Sequence, residues 1–226
     1  MGPMRGALLA MAPTLAAVVA LAACAGQAEP SRPSASPSIG PSPSIAASTQ
    51  PTTVSQRPDP FAELAARALQ PPPIPWGGCP VAPVAEIDPR IAPASGTGPI
   101  YPVLGANAGR FSIADAPVAE FGRYQMKTLW VSTDPADELI LIRVLRTDGQ
   151  PPAPGFTGGS ASARDSEGMP TQLRLGPDAS LSFGGGPMPE GWRAWSSGTL
   201  VADAGCYAFQ IDTPRGTETL VFEVVE

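Results

Sequence analysis

Residues 203–226 read DAGCYAFQIDTPRGTETLVFEVVE, and this stretch decides the fold. Tyr207, Phe209 and Ile211 alternate onto one face of a first strand. Leu220, Phe222 and Val224 do the same on a second. A period of two, carried by aromatic and aliphatic residues, marks strands with one face on a core. Thr213-Pro214-Arg215-Gly216 supplies the connection, and Asp203-Ala204-Gly205 leads the chain into the first strand. The chain therefore closes on an antiparallel hairpin.

The same texture extends upstream to residue 76. Short apolar or alternating runs are separated by Gly, Pro, Asp and Asn. GPIYPVLG and GRFSIA are weak strand signals. RYQMKTLWVS is a strong one, with Tyr124, Met126, Thr128 and Trp130 sharing a face. ELILIRVLR follows the turn-like TDPAD, so these two runs predict a hairpin. Residues 139–142 are apolar on both faces, as a central strand would be. Residues 149–170 predict a long loop. TQLRLG, SLSF, GWRAWSSGTLVA and the final hairpin complete the set. Eight or more short strands over residues 76–226 predict one all-β domain, an antiparallel β-sandwich. That length can bury a core of its own.

The front of the chain is built differently. Arg5 precedes an uncharged apolar run ending in small residues, the pattern of a secretory signal over residues 1–23. Residues 24–60 are rich in Ser, Pro, Ala and Thr and carry only Glu29, Arg32, Arg57 and Asp59 as charges. Such a segment buries too little to offset its ordering entropy and predicts a disordered linker. Residues 61–75 predict a short helix of about ten residues and a Pro-rich lead-in. Asp59 fits its N-cap, Pro60 its first position, and Phe61, Leu64, Ala65, Ala68 and Leu69 its apolar face.

Leu21-Ala22-Ala23-Cys24 resembles the bacterial lipobox, at the position where such a box belongs. The resemblance implies cleavage before Cys24, a diacylglycerol thioether on its sulfur, and attachment to the outer side of a cell membrane. Two acyl chains suffice for stable anchoring. With Cys24 lipidated, Cys79 and Cys206 are the remaining thiols, and outside the cytoplasm they should pair. The final hairpin resembles the last two strands of immunoglobulin-like bacterial modules. GCYAFQID, with the upstream WGGCP, the LIR strand and a Trp-rich segment, also resembles a group of bacterial envelope proteins. That likeness spans residues 76–226, implies an immunoglobulin-like sandwich and brings no activity with it. By alternation Cys206 faces away from Tyr207, unlike the intersheet cysteine of an antibody domain.

Composition narrows the function. The chain has 14 basic and 20 acidic residues, and removal of residues 1–23 takes away only Arg5. The negative balance disfavours nucleic acid and anionic lipid as partners. Histidine is absent, which removes Ser-His-Asp and Cys-His catalysis and histidine-bound zinc. Asp134, Asp137 and Glu138 cluster at a turn, and Asp165 and Glu167 lie in the 149–170 segment, but neither spacing matches a calcium loop. GFTGGS and FGGGP lack the Lys-Ser/Thr of a phosphate loop. No metal, cofactor or catalytic residue is expected. Trp192, Arg193 and Trp195 form the candidate binding surface, since Trp and Arg are common interface anchors. The expectation is a membrane-anchored envelope lipoprotein with a non-catalytic binding or structural module, directed at another envelope protein. A carrier of a small lipid or glycan is the alternative, and a histidine-free hydrolase a weaker one.

Overall fold

The computed structural model describes residues 57–75, 78–105, 109–114, 116–178 and 186–226. The signal segment, Cys24, nearly all of the linker, Trp76 and the SLSF run lie outside the described residues.

A short hairpin, β1 (Val84–Ala85) with β2 (Ala94–Ser95), precedes two facing sheets. The first sheet has the order β3-β5-β10-β7, with β3 at Ile100–Val103, β5 at Tyr124–Ser132, β7 at Gly155–Thr157 and β10 at Arg193–Val201. The second has the order β4-β12-β11-β6-β9-β8. Its strands are β4 (Arg110–Ser112), β6 (Ile140–Arg146), β8 (Ala161–Arg164), β9 (Pro170–Leu175), β11 (Gly205–Thr213) and β12 (Gly216–Val225). Every pairing is antiparallel except β4 on β12. With β3, β5, β6, β7, β10, β11 and β12 taken as A to G, the sheets are A-B-E-D and G-F-C, the immunoglobulin arrangement. The β8–β9 hairpin is inserted between D and E and extends the second sheet beyond C.

The closing hairpin forms in the register its alternation requires, Tyr207 opposite Phe222 and Phe209 opposite Leu220. All six alternating residues are buried. Phe209 stacks on Phe222 at 4.5 Å between ring centres, and Trp130 of β5 meets Phe209 edge-on at 4.9 Å. The Tyr207 hydroxyl donates to the carbonyl of Asp203, 2.9 Å away, in the manner of an immunoglobulin tyrosine corner. In antibody domains a cysteine follows that tyrosine by two residues and bonds to the opposite sheet. Here that position is Phe209, and an aromatic pair with Trp130 bridges the sheets. Tyr207→Phe removes one neutral hydrogen bond and is expected to cost about 1 kcal/mol, read from urea unfolding.

Three sequence expectations change. First, β5 and β6 do not form a hairpin; they lie in different sheets. Both edges of β5 are taken, by β3 and by β10 along its whole length. The 133–139 connection instead crosses the sandwich, so that Met126 and Trp130 meet Ile140 and Ile142 in one core. Leu141, on the outer face of β6, is buried under Phe61 and Leu64, which explains why 139–142 is apolar on both sides.

Second, residues 149–170 are not one loop. They hold β7, which pairs with β10, and β8, which pairs with β9. These strands are only three and four residues long and, apart from the buried Phe156, made of small and polar residues, too short to show alternation. Gly155 is required at the crossing, because a Cβ there would meet the Pro170 carbonyl at 2.7 Å. Third, helix α1 is only Ala62–Ala65. Asp59 accepts the Phe61 N–H at 3.0 Å, but beyond Ala66 the chain strings out along the second sheet and Leu69 stays half exposed.

The outer faces are partly covered. Residues 87–95 lie over Val131 and Ala194 of the first sheet. There Asp88 grips Arg90 at 2.7 Å, and these hydrogen bonds hold its carboxyl down to about 2. That pair therefore stays ionised at ordinary pH and is lost only as acidification passes that value.

Candidate functional site

The outer face of β6 and β11 carries Arg143, Gln210 and Asp212, all buried. The lead-in segment buries them. Arg143 donates to the Arg67 carbonyl at 2.7 Å and to Asp212 at 2.7 Å. Gln210 receives the Gln70 N–H at 2.6 Å and donates to the Ala68 carbonyl at 3.0 Å. Arg67 reaches the carbonyls of Thr213 and Gly216, 2.8 Å each. Residues 61–70 thus form a strap, and the polar groups beneath it are consumed in holding it.

The connection between β5 and β6 gathers a second cluster. Asp134 accepts the Ala136 N–H at 2.8 Å and pairs with Arg215. Those two contacts hold its carboxyl below the usual range, the backbone bond contributing most. Asp137, fully buried, also binds Arg215, at 3.0 Å from Nε. Arg193 donates to the carbonyls of Asp134, Pro135 and Asp137. Asp134 and Asp137 therefore serve an arginine that locks this crossing to the β11–β12 turn, while Glu138 is exposed. Asp165 caps its own turn, accepting the N–H groups of Glu167 and Met169 at 2.9 Å. Among the described residues no group of three or more acidic or cysteine side chains is placed to hold a metal.

The Trp192, Arg193, Trp195 surface does not form as an exposed row. Trp195 is buried in the intersheet core, because period-two alternation on β10 sends it inward. Trp192 packs on the other side, against the cluster of Val103, Val131 and Ala194. Arg193 lies 5.7 Å from the Trp195 ring centre. Cys79 and Cys206 are brought together, with Cα atoms 5.6 Å apart, a separation that a disulfide spans.

Two depressions stand out among the described residues. One, of about 540 Å³, lies on the first sheet over Gln125, Lys127, Ser196 and Gly198, a floor of mostly small side chains. The other, of about 590 Å³, opens at the end of the sandwich between the β3 edge of one sheet and the β12 edge of the other. Its floor is the end of the core, Ile100 and Ile211. Tyr101, Thr133, Asp134, Thr213, Arg215 and Glu218 line it. Sequence reasoning singled out only Asp134 of these. The missed signal is Glu218, which sits in the same phase as Leu220, Phe222 and Val224, where a core residue is due. Burial pushes its carboxyl above the usual range.

No helix among the described residues is long and apolar enough to cross a membrane. No family model and no curated protein matches the chain significantly. Among solved structures, a "Putative Lipoprotein from Bacillus anthracis" is 13% identical with a TM-score of 0.37, covering 67% of this chain and 88% of that one. The CooA pilin subunit of enterotoxigenic Escherichia coli is 9% identical with a TM-score of 0.30, covering 56% and 95% respectively. At these scores the likeness carries no argument, and the fold assignment rests on strand pairing alone.

Proposed function

We propose that this chain is an envelope lipoprotein, tethered to a cell membrane through Cys24, whose sandwich is a non-catalytic binding module. The tether rests on Leu21-Ala22-Ala23-Cys24 and the polar linker behind it. The observation that carries the binding role is the cleft between β3 and the start of β12, walled by Pro99 and Tyr101 and rimmed by polar and charged groups. Its volume is in the range of ligand sites, but it is open to solvent, where carrier sites enclose most of their ligand. That shape favours a group presented from outside over a lipid held between the sheets. Residues 26–60 put 35 residues of sequence between Cys24 and the domain; a flexible coil of that length spans roughly 30–35 Å and an extended chain about 110 Å.

The test is covalent cross-linking in the living source cell, then mass spectrometry of what co-purifies with the tagged protein. A defined envelope protein is the expected product. Cys24→Ser should move the protein wholly from the membrane fraction to the soluble one and abolish that product. Full membrane retention of Cys24→Ser would remove the tether from the proposal, and an empty cross-linking profile would remove the protein partner.

A further inference from the structure

Glu218 is out of place. On β12 it stands opposite Ile211, in line with the three core residues that follow it. Inward positions of a sandwich strand are apolar, because an inward carboxylate loses water and gains nothing unless paired. Among the described residues, no hydrogen bond or ion pair reaches the Glu218 carboxylate, and burial alone accounts for its upward shift. The cation among the residues lining the cleft does not serve it: Arg215 is committed to Asp134 and Asp137. Of the charged groups lining the cleft, Asp134 and Arg215 neutralise each other, which leaves Glu218 as an uncompensated negative charge. Beneath it lies the buried core at Ile100 and Ile211, and the partly exposed Pro99 and Tyr101 stand on the wall.

We propose that this cleft is a binding site for a protonated aliphatic amine. The ammonium group pairs with Glu218, and its alkyl stem lies along Pro99 and the Tyr101 ring on the cleft wall. The chemistry matches in both parts. A half-buried carboxylate makes its strongest bond to a cationic N–H donor, and an alkyl stem covers apolar surface while its charged head stays at the rim. A guanidinium of the chain itself is within the cleft yet is held elsewhere, so the site is kept open for a cation from outside. Either a lysine side chain on a partner or a free alkylamine carries this group. The inference deepens the proposed binding role and rests on the same cleft.

The experiment is an amide NMR titration of the mature chain carrying Cys24→Ser, so that no lipid is attached. The probes are n-butylammonium, as the free amine, and Nα-acetyl-lysine amide, as a lysine presented by a protein. Butanol and butyrate are the controls. Saturable shifts at Tyr101 and Glu218 are expected with the amines and not with the controls. Glu218→Gln should weaken the binding by at least about tenfold, and its own amide spectrum reports whether it is folded. Tighter binding of the lysine probe assigns the site to a partner's side chain, and tighter binding of the free amine to a small ligand. No saturable shift with either amine overturns the inference, as does equal binding by a folded Glu218→Gln. So does a Glu218→Gln variant that merely self-associates, because an inward charge on the stretch of β12 that β4 does not pair can serve only to block edge-to-edge pairing. A cross-linked partner found alongside a failed titration would leave the binding module standing and remove the amine site alone.

Discussion

Asp212→Ala is expected to destabilise the domain by about 3–5 kcal/mol, the range for breaking one side of a buried ion pair. The carboxylate is fully buried and serves several donors at once. Arg143 approaches at 2.7 Å, the Thr217 hydroxyl at 2.6 Å and the Gln210 amide at 3.2 Å. Arg67 of the strap stands a further step away at 3.8 Å. With Asp212 gone, Arg143 keeps a buried positive charge whose remaining anchor among the described residues is the Arg67 carbonyl, and its Nε has no partner among them. The strap should loosen with it, since Gln210 and Arg143 are what grip residues 67–70. Urea unfolding measures the loss, and amide hydrogen exchange at Gln70 measures the release of the strap. Replacing Arg143 and Asp212 together by Met and Leu should cost much less than Asp212→Ala, because no charge is then left unpaired. Equal losses in both variants would show that the pair itself, and not the orphaned charge, sets the cost.

Removing the thiol pair by Cys79→Ser with Cys206→Ser is expected to cost about 2–5 kcal/mol. The two residues are 127 positions apart, so the clasp closes nearly the whole domain into one ring. The chain-entropy account gives about 5 kcal/mol for such a ring as an upper value. It ties the segment that enters β1 to the start of β11. Beyond the clasp, the Ala82 N–H bonds the Val221 carbonyl of β12 at 2.9 Å. Two readings check the prediction: unfolding of the double variant against the parent, and the mass of the non-reduced chain, lighter by about two hydrogens than the reduced one. Two thiols open to alkylation in the native protein would overturn it.

Much of the fold could be read from local pattern. The period of two in residues 207–224 marked the closing hairpin and its inward face, because neighbouring side chains on a strand must point opposite ways. The strands of residues 124–132 and 140–146 were legible for the same reason. What they pair with was not, since TDPAD looks like a hairpin turn whether the chain folds back or crosses the sandwich. The short strands β7 and β8 were read as loop, because three or four residues are too few to show a period, and their pairing comes from β10 and β9. The helix ran short because hydrogen bonds from Arg143 and Gln210 draw out the backbone that propensity would have wound.

The candidate site was less legible than the fold. Trp192 and Trp195 look alike in sequence, and alternation alone would have sent them to different environments, one outward and one into the core. Glu218 was visible as a charge in a core phase, yet its meaning depends on what stands near it. By itself the sequence determined the strand faces, the absence of histidine chemistry, the acidic balance and the three cysteine positions, all properties of single residues or near neighbours. Only the tertiary structure decided that Arg215 is spent on Asp134 and Asp137, that Arg143 and Asp212 lie under a strap, and that Glu218 opens on a cleft with no partner among the described residues. These are encounters between residues far apart in the chain, and pairing of that kind leaves no period in the sequence.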